Sequence, residues 1–165
     1  MSATKIEATK RFFQPEISKV IFMTAVADYK AGATRSELDA GKDLTDEIAE
    51  ISGFNTTSGT IDTPDLGSRF TSKIGGRITV DDSSITFYAS QDGKDVRTVL
   101  PRGTKGFLAF MDGGDVPTQP YDLMPAEVTN LGKVRATGDN AFQLTVGFAI
   151  TGVPAEDLDI PAAGA

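Results

Sequence analysis

The chain contains no cysteine, no histidine and no tryptophan among its 165 residues. Without cysteine there is no disulfide framework, no thiolate metal cluster and no thiol nucleophile. Without histidine there is no Ser-His-Asp triad, no imidazole acid or base and no histidine-ligated zinc. Positive charge is also scarce: 16 Lys and Arg face 23 Asp and Glu, a net charge of −7. That balance argues against a protein that reads nucleic-acid sequence, which would carry a basic patch. The longest apolar run, residues 20–27, is broken by Thr24 and falls far short of the roughly 20 residues a bilayer-spanning helix needs. The polar start, MSATKIEATKRFFQPE, has no apolar signal core, so the expectation is a protein kept in the cytoplasm or carried out only inside a larger particle. Asn55-Thr56-Thr57 matches a glycosylation acceptor and is read as a chance match.

What is present is an ordinary globular composition, 39% hydrophobic and 24% charged, in a length that suits one domain of about 150 residues. Residues 1–16 read as a polar arm with Phe12 and Phe13 as its sticky side chains. Residues 18–27 are apolar on both faces, which suits a strand covered on both sides. Residues 28–45, rich in Gly, Ala, Asp and Thr, read as a long loop of the functional or mobile kind. Residues 44–54 read as a strand, with a helical turn competing. Residues 69–80 alternate cleanly: Phe70, Ser72, Ile74, Gly76, Ile78 and Val80 share one face, and the Gly75-Gly76 pair marks a bend. Further strands are expected over 84–90, 105–111, 126–137 and 140–151, with a short helix over 95–100 capped near Asp95 and ended by Pro101. Asp112-Gly113-Gly114 and Gly138-Asp139-Asn140 read as turns. Residues 153–165 form a Pro/Ala/acid tail. The sum is an all-β-dominated sandwich or barrel with one or two short helices.

Charge is segregated. Residues 36–67 carry Glu37, Asp39, Asp43, Asp46, Glu47, Glu50, Asp62 and Asp65 against Lys42 alone, and residues 111–165 are also strongly acidic. Such blocks are either a solvated surface or, with the basic stretches, surfaces that meet between subunits or line a shared cavity. The chemistry of catalysis is thin. Gly103-Thr104-Lys105-Gly106 is too short for a phosphate-cradling loop, and Asp112-Gly113-Gly114-Asp115 lacks the EF-hand spacing. Carboxylate pairs such as Asp46/Glu50 or Asp81/Asp82 have nothing that sets them across a cleft.

The order of features from Gly59 to Thr151 resembles the major tail protein, or tail tube protein, of long non-contractile-tailed actinobacterial phages. The residues that carry the resemblance begin with Asp82-Ser83-Ser84-Ile85-Thr86-Phe87-Tyr88 and the Asp-Gly turn after it. Arg97-x-x-Leu100, Gly103-Thr104-x-Gly106-Phe107 and an Asp-Gly-Gly turn follow. Pro125-Ala126-Glu127-Val128 and the closing Phe148-Ala149-Ile150-Thr151 complete the series. Residues 19–27 and the loop after them look like the family's first strand and extended loop.

The resemblance implies a mainly β, sandwich- or barrel-like tail-tube fold with one short flanking α-helix, a long loop and extended terminal arms. It implies that six subunits make a ring whose inner wall is a continuous β-barrel, and that rings stack into a tube around a tape-measure protein. Tail terminator and tip proteins are further expected partners, with genomic DNA passing through without sequence-specific binding. The expected place is the virion tail, assembled in the host cytoplasm, with no catalysis, cofactor, metal or membrane. The division expected is an arm over 1–16, a tail-tube domain over 17–152 and a tail over 153–165. The arm, the loop and the tail are expected to order on assembly, with Phe12, Phe13, Arg35, Leu38, Leu44, Leu158 and Ile160 as candidate contacts. Asp46, Glu47 and Glu50 are candidate lumen-facing acids, an outer-surface placement being equally open. The competing readings are a small-ligand-binding β-barrel, which would keep an apolar cavity open in a closed monomer, and a head-decoration or other virion accessory protein.

Overall fold

The computed structural model describes residues 3–163. Residues 3–13 are exposed and without regular structure. Ten strands follow: β1 (Lys19–Met23), β2 (Lys42–Asp43), β3 (Ile48–Ser52), β4 (Thr56–Thr63), β5 (Ser72–Val80), β6 (Ser83–Tyr88), β7 (Lys105–Met111), β8 (Pro120–Val134), β9 (Gln143–Ile150) and β10 (Ala155–Asp159). Two short helices, α1 (Arg35–Ala40) and α2 (Val96–Val99), and a 3-10 turn (Thr45–Glu47) complete the order. One sheet runs β2-β1-β7-β8-β9-β6-β3, with β10 added on β8; β4 and β5 pair only with each other. All pairings are antiparallel.

The sheet must curl, because β1 and β6 stand four places apart in it yet share a core. Val20 and Phe22 of β1 pack with Ile85 and Phe87 of β6, Leu108 of β7, Val128 of β8, and Leu144, Val146 and Phe148 of β9. Val96 and Leu100, from α2 and its end, close that core. Each fully buried side chain of this size contributes about 1.5–3 kcal/mol. The other face of β1, β7 and the start of β8 holds a second core: Ile21, Met23, Ala109, Met111, Tyr121 and Leu123 lie under Leu38, Ala33 and Ile160. The sequence expectation that β1 is covered on both sides is met by these two clusters.

The segment expected to be an unstructured loop over 28–45 contains α1. A capping box starts it: the Glu37 N–H donates to Thr34 Oγ1, and the Thr34 N–H donates to the Glu37 carboxylate at 2.7 Å. The Ala27 N–H donates to the same carboxylate. These donors hold the Glu37 carboxyl below the usual range, the Thr34 N–H first among them. Two short helices therefore stand where one flanking helix was expected. The second matches the sequence reading, with Asp95 as its N-cap.

Four strands differ from expectation, β2 among them, since it falls in the expected long loop. β8 starts six residues before Ala126 and runs through Pro125. In an antiparallel strand one residue's N–H and C=O point to the same side. The Pro125 carbonyl accepts from the Thr151 N–H, so its missing donor falls where the partner of β8 changes from β10, paired up to Leu123, to β9, paired from Ala126. β10 lies in the expected tail, whose Ile160 is buried. β4 was not expected at all, because TTSGTIDT carries a single large apolar residue.

Candidate assembly surface

β3–β6 and β4–β5 are the lower and upper parts of one long hairpin. The lower part is embedded in the sheet, with Ser52 opposite Ser84 and Ile51 opposite Ile85. Between the parts the chain turns sharply at Gly53 and Phe54, both at positive φ. A Cβ on Gly53 would sit 2.3 Å from the Asp82 carbonyl oxygen, so the turn requires glycine there. Phe54 tolerates its own positive φ because its ring is anchored, 4.8 Å from that of Phe110 and 5.9 Å from that of Phe148. Its N–H donates to Ser83 Oγ at 2.9 Å, and the Ser83 hydroxyl donates to the Asp81 carbonyl.

Above this elbow stands a two-stranded ribbon that neither sheet face covers. Ile61 pairs with Ile74, which places those two isoleucines on one face. Ser58 stands three residues before Ile61, so its partner Ile78 lies on the opposite face, and the single face expected over 70–80 is broken by a slip in register. Ile61, Ile74 and Ile78 are 53%, 55% and 58% exposed. Lys73, bonded to Asp62, lies on the face away from Ile61 and Ile74, while Thr79, opposite Thr57, shares theirs. The register slips between Ser58 and Thr60, opposite the Gly75-Gly76 pair, where Gly76 passes close to the Gly59 carbonyl. The connecting residues 64–71 carry Leu66 and Phe70 almost fully in solvent. A lone two-stranded hairpin is marginal in water, and an exposed apolar face of this kind marks an interaction surface.

The outward face of β3, β6, β9 and the end of β8 is bare too, but polar. Glu50 and Ser52 stand opposite Thr86 and Ser84, and these face Thr145 and Gly147, which in turn face Gly132 and Asn130. Thr86 and Thr145 share a hydroxyl hydrogen bond of 3.1 Å. Of the three candidate lumen acids, Glu50 belongs to this face, while Asp46 and Glu47 sit exposed on the 3-10 turn before β3.

The candidate contact residues divide. Phe12 and Phe13 are exposed on the arm, Phe12 lining a shallow cleft with Phe110, Asp112 and Tyr121. Leu38, Leu44 and Ile160 are core residues of the subunit itself, and Leu158 packs against the second core. In the subunit these four are covered by its own sheet, on which α1 and β10 fold back. Arg35 is likewise engaged, its guanidinium reaching the Asp115 carboxylate at 2.5 and 2.7 Å and Asp39 at 2.6 and 2.8 Å. This clamp ties α1 to the turn after β7 and holds the Asp115 carboxyl below the usual range. Sequence reasoning recognised the alternation of Ile74 and Ile78 but gave no role to Ile61 and Leu66. The signal available was an apolar face in a segment otherwise made of Gly, Ser, Thr and charge.

No group of His, Cys, Asp and Glu among the described residues could hold a metal ion. No described helix is long and apolar enough to cross a membrane. Acids do gather beside β10. Asp122 accepts from the Asp157 N–H at 2.9 Å, and its carboxyl is raised above the usual range by burial, with Asp157, Glu156 and Asp112 adding like charge.

No curated protein matches the sequence. Solved structures share the fold at low identity. A sheath/tube terminator of an extracellular contractile injection system (PVC), in its extended state, is similar at 10% identity and a TM-score of 0.61, over 89% of this chain and 97% of that one. The tube-terminating cap of the anti-feeding prophage is similar at 14% identity and a TM-score of 0.57, over 90% and 93%. A chain of the PVC sheath–tube complex gives 14% and 0.54, over 86% and 90%. The family profile described as phage tail tube protein matches residues 7–163. With that match over nearly its whole length, on a β-dominated fold, the chain belongs to the phage tail tube protein family, whose members are structural parts of the virion tail and not enzymes.

Proposed function

We propose that copies of this chain close into six-membered rings, that the rings stack into a hollow tube around a tape-measure protein, and that genomic DNA leaves through the bore. Terminator and tip proteins would cap the ends. The tail would be the long non-contractile kind found on actinobacterial phages, as the sequence resemblance implies. The observation that carries self-assembly is the β4–β5 ribbon, on which Ile61, Ile74 and Ile78 each stand more than half in solvent. Covering it with another copy removes apolar surface from water at about 25 cal/mol per Å². A contact between unlike surfaces of identical subunits gives rings when the rotation closes and filaments when it does not.

The polar outward face with Glu50 and Thr86 is our candidate for the bore wall. Its paired positions carry no Lys or Arg, so it offers the phosphates of a duplex nothing to grip. The arm, with Phe12 and Phe13, supplies a second contact. The interior that a ligand-binding barrel would keep open is filled by Phe87, Leu108, Leu144 and Val146. The test is negative-stain electron microscopy of the purified chain across a concentration series. Rings or tubes are expected as concentration rises. A protein that stays monomeric by light scattering at every concentration overturns the proposal.

A further inference from the structure

The root of the ribbon carries a groove as well as the elbow. Ile78 and Val80 of β5, Ile150 at the end of β9, and Val153 and Pro154 in the stretch before β10 line an open cleft of about 450 Å³. Its floor is apolar, and Val153 is 64% exposed. Its rim is acidic. Asp81 follows Val80 directly and is exposed. Glu156 is held at 2.5 Å by the Thr56 hydroxyl, and Thr56 is paired with Val80.

The far end of the same ribbon has the opposite character. Leu66 and Phe70 project from the connection with most of their surface in water, and Arg69 stands between them. We propose that the ribbon tip of one copy seats in the root groove of the next copy, Leu66 and Phe70 against Val153, Ile78 and Pro154, with Arg69 toward Asp81 and Glu156. The inference rests on the reading of the chain as a self-assembling subunit and names the surfaces that join.

Three features of the molecule carry it. Apolar meets apolar, and Arg69 meets the carboxylates of the rim, while Asp65, the one acid of the tip, is turned to the Gly67 N–H. The tip cannot fill its own groove, because Ile78, the groove residue of β5 nearest the tip, stands eight residues along the strand from Phe70, roughly 27 Å at 3.4 Å per residue. Tip and groove are different surfaces, so every copy offers one of each and the contact propagates head to tail. The ribbon then has a reason to be long and stiffly aimed: its length sets the distance between one elbow and the next.

The absence of cysteine makes a direct test possible. Leu66→Cys and Val153→Cys are placed in separate chains, the two proteins are mixed, assembled and oxidised, and the products are run without reductant. The expected product is a covalent heterodimer, and a chain carrying both substitutions gives a ladder of multimers. Val153→Asp is expected to raise the concentration needed for assembly at least tenfold while leaving the thermal midpoint of the subunit unchanged, since the site is exposed. Tubes that form as in the parent chain without the heterodimer overturn the inference and leave the self-assembly reading standing. A crosslink from Phe13→Cys, and not from Leu66→Cys, to Val153→Cys also overturns it and gives the groove to the arm of the neighbouring copy. If the parent chain never assembles, the self-assembly reading fails first and this inference fails with it.

Discussion

The two parts of the long hairpin differ in what meets their apolar face, not in how they are patterned. In β6, Ile85 and Phe87 alternate with Ser84 and Thr86, and both apolar side chains are wholly buried. In β5, Ile74 and Ile78 alternate with Lys73, Gly75, Arg77 and Thr79, and both isoleucines stand more than half in solvent. The backbone pairing is antiparallel in both. The lower part has β9, β8 and α2 to fold against; the upper part has nothing in its own chain. Alternation therefore fixes which side of a strand is apolar only while the register holds, since the slip beside Gly75-Gly76 turns Ile78 to the face opposite Ile74, and it says nothing about whether the covering surface belongs to the same molecule.

The sharpest way to break this comparison is to truncate one apolar side chain on each part. Phe87→Ala empties a packed position and is expected to cost about 3–5 kcal/mol of subunit stability. Ile74→Ala, at an exposed position, is expected to change it by no more than about 0.5 kcal/mol. Urea unfolding of the unassembled subunit reads both, and the order should reverse when the readout is the yield of assembled tubes. A large loss of subunit stability from Ile74→Ala would mean that the ribbon is packed within its own chain.

A smaller effect is expected at the junction. Gly53→Ala brings a Cβ against the Asp82 carbonyl at a φ of 83°. The strain is expected to cost on the order of 1–3 kcal/mol and to turn the ribbon away from its axis. Unfolding midpoints read the first effect, and loss of regular tubes under conditions where the subunit is still folded reads the second. A variant as stable as the parent that still forms regular tubes would show that the elbow does not aim the ribbon.

The smallest effects test the body alone, by pH. Asp95 is held well below the usual carboxylate range, by Arg97 first. Its folded pKa lies below the unfolded value of about 3.9. Its contribution is therefore present above that pH and is lost as pH falls toward the folded pKa. Asp122 has the opposite sign: its pKa is raised, burial first and neighbouring acids after, so its unfavourable effect is present above the raised pKa and disappears as pH falls through it. Asp122→Asn keeps the acceptor for the Asp157 N–H and is expected to raise stability at pH 7 by up to about 0.5 kcal/mol, with the gain gone in acid. Urea midpoints across pH 3–7 read both. A midpoint at pH 7 lowered by Asp122→Asn would mean that the charge is favourably partnered.

Most of the body was legible because its signals are local. β7 appears over the expected residues, and α2 is bounded by Asp95 and Pro101 as read. β9 lies within its expected span, and β6 starts one residue before its own. The failures have separate causes. α1 had its capping box in plain view at Thr34 and Glu37, but six residues with one buried leucine give too little periodicity to outweigh the Gly and Ala around them. β10 and the first half of β8 are strands by mutual pairing, and prolines at 120, 125 and 154 argue against them locally. β4 is held by its backbone and polar side-chain bonds to β5, not by apolar burial. Leu38, Leu44, Leu158 and Ile160, expected as candidate contacts, are covered within the subunit by its own sheet, and no local pattern tells that cover from a neighbour's.

What the amino acids settled unaided is the chemistry the protein lacks, since no fold can supply a thiol or an imidazole that is not encoded, and the sidedness of its better strands, since successive side chains of a strand must point to opposite faces. What only the folded chain decided is who covers whom. Arg35 meets Asp115 and Ser18 bonds the Asp112 carbonyl across 80 and 94 residues of sequence, and such contacts arise from the curl of the sheet and leave no local periodicity to read. The same curl buries Ile85, leaves Ile74 in water, and so separates the part of the hairpin that holds the subunit together from the part that needs a neighbour.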